Sequence, residues 1–370
     1  MMSRLEYVRA LYLACCVVLL AGFAATATTP IRQLTNTSAA NFRPAWSPDG
    51  KTIAFQSNRD GPYHLYVMDA DGGNVRQLTS GDVDDRHPAW SPDGRSIAVD
   101  SGNDARREIW RIDVASRART QITRLNAVTS LPSWSPDGTR ISFYVYRSGE
   151  MDLWTIGPDG AGAARMTTSL AAESRNQCTF ACHAAAWSPD GRKIALSDGD
   201  SARVLVMSAI AGSATTAISP DDERSHFPAY LSDGRIAYVT EHVSLEQAYT
   251  DLWAFDPDRS GPRSEIVRNV QAQGPFALTP DAQQLLFASP RTGNFEIYAV
   301  TLDEAGKAAL AAKLQAGVAQ ALGGSPGQRD SRNDLLSGST PYALALGLIT
   351  LLVAAWEVAS RAKKRPPAGP

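Results

Sequence analysis

Three groups of residues in this 370-residue sequence have types and spacings that could support chemistry. Cys178-Thr179-Phe180-Ala181-Cys182-His183 is a stretched form of the C-x-x-C-H run that attaches haem covalently. No distal ligand or cytochrome-like helical setting accompanies it, so haem and metal binding stand as alternatives to a plainer reading. In an exported chain two nearby thiols are expected to form a disulfide. A Cys178–Cys182 bridge would constrain the unfolded chain by roughly 2 kcal/mol on the entropic account. Gly323-Gly324-Ser325-Pro326-Gly327 has the letters of a G-x-S-x-G nucleophile turn, but no strand precedes it. Pro326 also removes the backbone N–H that would help bind an oxyanion, and the segment reads as linker. The third group, Asp49, Asp93, Asp137, Asp190 and Asp233, recurs in the same turn of successive repeats. Recurrence points to carboxylates that hold their own turns. With no paired catalytic carboxylates and no nucleophile–base set, the chain is read as non-enzymatic, with no cofactor and no metal.

The elements that would carry any site are set by a repeat. Pro44-Ala45-Trp46-Ser47-Pro48-Asp49-Gly50 returns at Pro88 to Gly94, and Trp46, Trp90 and Trp134 are 44 residues apart. Trp187, Tyr230 and Leu278 mark weaker copies. Six units fill Thr28 to Asp303 at about 46 residues each, the length of a four-stranded propeller blade. Within a unit, Ser-Pro-Asp-Gly suits a tight turn, with proline where φ is fixed and glycine at the end. The following strand alternates, as in Ile53-Ala54-Phe55, with both faces apolar. One such sheet cannot bury both faces alone, whereas blades stacked around an axis bury each against the next. The expectation is an all-β, six-bladed β-propeller with a C-terminal helix and a transmembrane tail. Gln33-Leu34-Thr35 lies 44 residues before Gln77-Leu78-Thr79, and the last unit has no such strand of its own. Residues 31–35 are therefore expected to close the last blade and hide two sheet edges.

In a propeller, the segments just before the innermost strands gather at one mouth of the central channel. Here they are Phe42-Arg43, Arg86-His87, Ser130-Leu131, His183-Ala184, His226-Phe227 and Gln273-Gly274. They differ from blade to blade, which suits recognition better than folding. Arg43, Arg86, His87, Leu131, His183, His226 and Phe227 are the candidate residues for binding a peptide or protein loop. The three histidines also admit a metal-site reading.

The units resemble the WD40-like (PD40) repeats of the TolB-type propeller family, whose blades carry P-A-W-S-P-D-G-x-x-I-A-F and then an I-Y-V-M strand. Pro44 to Phe55 and Leu65 to Met68 match closely, Pro88 to Val99 and Pro132 to Phe143 well, Trp187 to Leu196 without the leading proline, and the last two units loosely. The resemblance covers about three quarters of the chain, and its motif residues are structural. It implies a mouth that receives an envelope partner. The family's type member has an α/β domain ahead of the propeller, and the expectation here is a chain without one. Peptidases with similar blades add an α/β-hydrolase domain, which is likewise not expected.

Composition and the two ends bound the setting. The formal charge of −2, with 44% hydrophobic and 20% charged residues, gives no electrostatic footprint for nucleic acid. Residues 1–27 read as an export signal: Arg4 and Arg9, the apolar run Ala10 to Ala24, then Ala25-Thr26-Ala27; an uncleaved membrane anchor is the alternative, for which the run is short. After the propeller at 28–303, residues 304–322 are expected to form an amphipathic helix, with Leu310, Leu314, Val318 and Leu322 on one face. Residues 323–340 read as a flexible linker, 341–360 as a membrane span and 361–370 as a basic cytoplasmic tail, with a sorting tail clipped after export as the alternative for the span, although no Pro-Glu-Pro signature is present. The basic cluster Arg361, Lys363, Lys364 and Arg365 places the propeller on the periplasmic side of the inner membrane. The function expected is a monomeric, membrane-tethered platform for an envelope protein or peptide. A lactonase- or peptidase-like hydrolase with its site at the mouth is the alternative.

Overall fold

In the computed structural model the described residues are 31–303, apart from 104, 148–149, 169, 171–183, 199–202, 244–247, 259–261, 271–275, 280, 282 and 290–292. They belong to the first of two compact units, residues 1–320. The export signal, the helix expected at 304–322, the linker, the span and the basic tail lie outside the described residues, as do Cys178, Cys182 and His183. No helix occurs among the described residues, so none there is long and apolar enough to cross a membrane.

The secondary structure is all strand. β1 is Ile31–Gln33. β2 to β5 (Asn41–Trp46, Thr52–Ser57, His64–Asp69, Arg76–Gln77) form an antiparallel sheet in chain order. β6 to β9 (Asp84–Trp90, Ser96–Gly102, Arg107–Asp113, Arg119–Gln121) and β10 to β13 (Val128–Trp134, Ile141–Arg147, Glu150–Ile156, Ala164–Arg165) are two further meanders. A single parallel pairing of Val128 with Arg107 joins them into one eight-stranded sheet. β14 to β17 (Ala186–Trp187, Lys193–Asp198, Arg203–Ser208, Thr215–Ala217) and β18 to β21 (Arg224–Tyr230, Ile236–Val243, Ala248–Phe255, Ser264–Val270) are four-stranded sheets. β22 to β24 (Ala277–Leu278, Gln284–Ser289, Glu296–Thr301) take β1 as their fourth strand, with Ile31 opposite Val300. The result is a propeller-like stack of small antiparallel sheets.

The alternation in each second strand explains the stacking. Ile53 and Phe55 point from one face of β3 into a cluster with Leu286 and Ile297, while Ala54 points from the other into a cluster with Ile97 and Val99. Ala98 of β7 then packs with Phe143 of β11, and Tyr144 with Leu196 of β15. Every one of these side chains is within about 4% of complete burial, and each full burial of a Leu, Ile or Phe contributes about 1.5–3 kcal/mol. Strand register matters here because a one-residue slip would exchange the two faces.

The Ser-Pro-Asp-Gly turns behave as their residue types dictate. Asp49 accepts from the Ser47 hydroxyl at 2.7 Å and from the Lys51 amide at 3.1 Å, and the Thr52 amide donates to Ser47 Oγ at 2.9 Å. The same bonds recur around Asp93, Asp137 and Asp190. Gly50 closes the turn at φ +68°, a conformation that disfavours a side chain.

Candidate functional site

The innermost strands carry a defect at one fixed place. β2, β6, β10 and β18 each shift register, between Phe42 and Ala45, Arg86 and Ala89, Ser130 and Ser133, and His226 and Ala229. Inside each bulge a non-glycine residue has positive φ: Arg43 at 53°, His87 at 55°, Leu131 at 60° and Phe227 at 61°. A proline follows every one of them, Pro44, Pro88, Pro132 and Pro228. Proline has no N–H for the ladder, so a central strand admits it at a bulge, and it steers the preceding residue away from right-handed helical backbone. Each left-handed residue costs about 1–2 kcal/mol, and strain of this kind collects at ligand clamps and active sites.

The bulges turn four unlike side chains into one cavity of about 400 Å³. Arg43, His87, Leu131 and Phe227 line it together with Ala184 and Phe276, and Trp46, Trp90 and Trp134 form part of its wall. Among the described residues expected at the mouth, Arg43, His87, Leu131 and Phe227 line the cavity, and Arg86 and His226, each one position before a bulge residue, do not. Arg86 instead pairs with Asp84 and lies over the Tyr63 ring at 5.2 Å. His226 is 3% exposed, with Nε2 at 3.6 Å from Glu241 Oε2. The pleat explains this, since neighbours on a strand face opposite ways. A three-histidine site is therefore not assembled from His87 and His226, and among the described residues no group of metal-binding side chains occurs. Residue 183 lies outside the described residues.

Behind the cavity is a buried polar cluster. His87 Nδ1 is 2.6 Å from Asp100 Oδ1, and Asp100 is fully buried on β7. Asp100 also accepts from the Leu131 amide at 3.2 Å and meets Arg107 Nε at 3.4 Å. Burial pushes His87 down to about 4, reinforced by the charges of Arg43 and Arg107 and opposed by Asp100. The imidazole is neutral at pH 7, with Nδ1–H donating to the carboxylate and Nε2 as the acceptor. Burial works against the charge of Asp100, but the His87 imidazole, the Arg107 guanidinium and the Leu131 amide hold its carboxyl below the usual carboxylate range. Burial also pulls the Arg43 guanidinium down to about 10, so it remains charged at neutral pH. Burial raises the Tyr146 phenol, which lies within electrostatic range of Arg43.

Sequence reasoning missed Asp100, Arg107, Tyr146 and Gln56. A signal existed for two of them: Gln56, Asp100 and Tyr144 occupy one position of successive second strands, 44 residues apart, where an apolar pattern turns polar. Gln56 Oε1 accepts the His87 amide at 3.0 Å, as Asp100 accepts that of Leu131. A second groove of about 450 Å³ lies among the turns around Asp137, Arg140, Trp187, Arg192 and Ile210. Its Asp137 is committed to its own turn.

Residues 83–181 match the family model described as the TolB beta propeller domain. Among solved structures, TolB from Acinetobacter baumannii is similar at 18% identity over 74% of this chain and 66% of that one, with a TM-score of 0.53. This chain thus spans just under two thirds of that TolB. XC5397 from Xanthomonas campestris, described as a gluconolactonase, is similar at 15% identity over 73% of this chain and 88% of that one, with a TM-score of 0.52. Regucalcin from Agrobacterium tumefaciens, described as a calcium-binding protein, gives 13%, 73%, 92% and 0.51 for the same measures. At these identities the likeness concerns fold. No curated protein matches the chain.

Proposed function

The chain carries a TolB-like β-propeller, and from that premise we propose that it is a non-enzymatic binding platform, tethered at the periplasmic side of the inner membrane, that receives a segment of an envelope protein or peptide in its central cavity. The observation that carries this reading is the convergence of Arg43, His87, Leu131 and Phe227, four chemically different side chains at strained bulge positions, on one cavity. A purely structural repeat would keep those positions alike. The eight-stranded sheet reads as two blades joined by one residue pair, which makes six blades in all. β1, beside β24, reads as the strand that closes the ring. Export, anchoring and topology rest on the apolar and basic segments at residues 1–27 and 341–370.

The test is in vivo crosslinking of the full chain, comparing wild type with Arg43→Ala/His87→Ala. Loss of a specific adduct in the double variant is the expected result. Equal recovery would remove the cavity as the contact surface.

One observation favours a hydrolase as a second reading. His87, oriented by Asp100 at 2.6 Å, lines the cavity and has the geometry of a general base. Lactone or peptide hydrolysis that disappears in His87→Ala while the melting temperature holds would favour this reading over the platform.

A further inference from the structure

His87 leaves one polar atom turned to the cavity. Its Nδ1 is committed to Asp100 at 2.6 Å, and among the described residues nothing bonds Nε2. His87 is 8% exposed and lines the cavity, whereas Asp100 does not, so Nε2 is the acceptor on the open side. Arg43 also lines the cavity but is engaged by other groups of the chain, so the open polar position belongs to the imidazole. A buried acceptor without a donor is costly, and a ligand that supplies the donor recovers that cost. Another part of the lining is apolar: the Phe227 and Phe276 rings lie 6.1 Å apart at 44°, in the same cavity as Leu131. In the six-blade reading β6 and β18 open the second and fifth sheets, which face each other across the axis. The acceptor and the aromatic pair thus stand on opposite sides of the cavity.

We propose, on the basis of the binding-platform reading, that this cavity receives a tyrosine side chain from a loop of the partner, its ring against Phe227 and Phe276 and its hydroxyl donating to His87 Nε2. A ligand that satisfies both sides must carry an apolar body at one end and a donor at the other. Tyrosine has the two on one long axis, aromatic rings prefer tilted or offset neighbours, and a buried phenol seeks a hydrogen-bond partner. Phenylalanine would leave Nε2 unpaired, and a carboxylate has no proton to donate. The indole N–H of tryptophan lies on the flank of its ring rather than at its tip. A serine hydroxyl would supply the donor and leave the aromatic pair bare. The volume of about 400 Å³ is near the lower end for ligand pockets and suits a single large side chain.

The experiment measures microscale thermophoresis of the labelled, detergent-solubilised full chain with Gly-Ser octapeptides that carry tyrosine, phenylalanine or O-methyltyrosine at one central position. A site that leaves a buried acceptor unpaired predicts that the tyrosine peptide binds about tenfold or more tightly than the phenylalanine peptide. O-Methyltyrosine keeps the oxygen and loses the proton, so it should bind no better than phenylalanine. His87→Asn should bring the tyrosine-to-phenylalanine ratio to about one. Phe227→Ala should weaken both peptides alike and leave the ratio standing. The comparison of the three peptides on wild type is itself decisive, so the test survives a variant that fails to fold. Equal binding of tyrosine and phenylalanine, or of tyrosine and O-methyltyrosine, would overturn the hydroxyl site. So would absence of binding by all three while the Arg43/His87-dependent crosslink persists, an outcome that leaves the platform reading intact. Absence of binding and of crosslink together sinks both readings. If 4-methylphenol binds as tightly as the tyrosine peptide, the ligand is a small phenol and the protein-loop assignment falls.

Discussion

At the scale of single residues, His87 concentrates the electrostatics of the site. Its folded-state pKa is depressed, chiefly by burial, from the ordinary 6.5 to about 4. As pH falls through 6.5, the unfolded chain takes up a proton that the folded one refuses. Stability therefore drops with pH between about 6.5 and 4 and levels off below, while the contribution is fully present above 6.5. His87→Asn should remove this part of the slope, because asparagine tolerates left-handed backbone and can still donate to Asp100. Thermal melts of both proteins at pH 7 and pH 4.5 check it, and parallel pH dependence would argue against a buried neutral imidazole. The side chains in the cavity were legible because each precedes the proline of a repeat, where variation among otherwise similar units stands out. Arg107 was not, because a charge inside a strand is silent until its partners on other strands are known, and the polar break at Asp100 marked a position without naming the groups it would hold.

At the scale of elements, the bulge does two things: it aims a side chain inward and releases an amide from the strand ladder. The His87 amide is recovered by Gln56 of the preceding sheet at 3.0 Å. Leu131 is recovered by Asp100 in the same way. The bulges are thus tied across neighbouring meanders, and the cavity wall depends on side chains that do not line the cavity. Gln56→Leu preserves volume but leaves the buried His87 amide without an acceptor, at a cost of about 1–3 kcal/mol. At roughly 2–4 °C per kcal/mol for a chain of this size, the melting temperature should fall by several degrees. An unchanged melt would mean that the bulge does not rely on this bond. Strands and turns were readable from apolar alternation and from Ser-Pro-Asp-Gly, since both are local consequences of residue type. The bulges were not, because Arg43-Pro44 becomes a bulge only when the strand beside it cannot accept a missing N–H.

For the molecule as a whole, the question is whether the ends of the propeller hold each other. In the sheet of β8 and β9 the Ile109 amide donates to Thr123 Oγ1 at 2.8 Å, while Thr123 Oγ1 and the Asn126 amide donate to Glu108 at 2.6 and 2.9 Å. Between β1 and β24 the same set recurs with residues from opposite ends of the chain. The Ile297 amide donates to Thr35 Oγ1 at 2.9 Å, the Thr35 hydroxyl donates to Glu296, and the Thr37 amide donates to Glu296 Oε1 at 2.6 Å. Asn41 adds a further bond to the Glu296 carboxylate at 2.8 Å, and removal of residues 31–35 would take the Thr35 hydroxyl from a carboxylate that is 1% exposed. It would also uncover the partners of Ile31 and Leu34, each worth about 1.5–3 kcal/mol. Deleting residues 31–35 should therefore lower the melting temperature by roughly 10 °C or more. Thr35→Val is the gentler version, retaining the apolar contacts and removing only the hydroxyl. If β1 closes the last sheet as β9 completes its own, Thr35→Val and Thr123→Val should destabilise to a similar degree, about 1–3 kcal/mol each. A damaging Thr123→Val beside a silent Thr35→Val would mean that the first strand frays in solution and that the ring is held by its sheets alone.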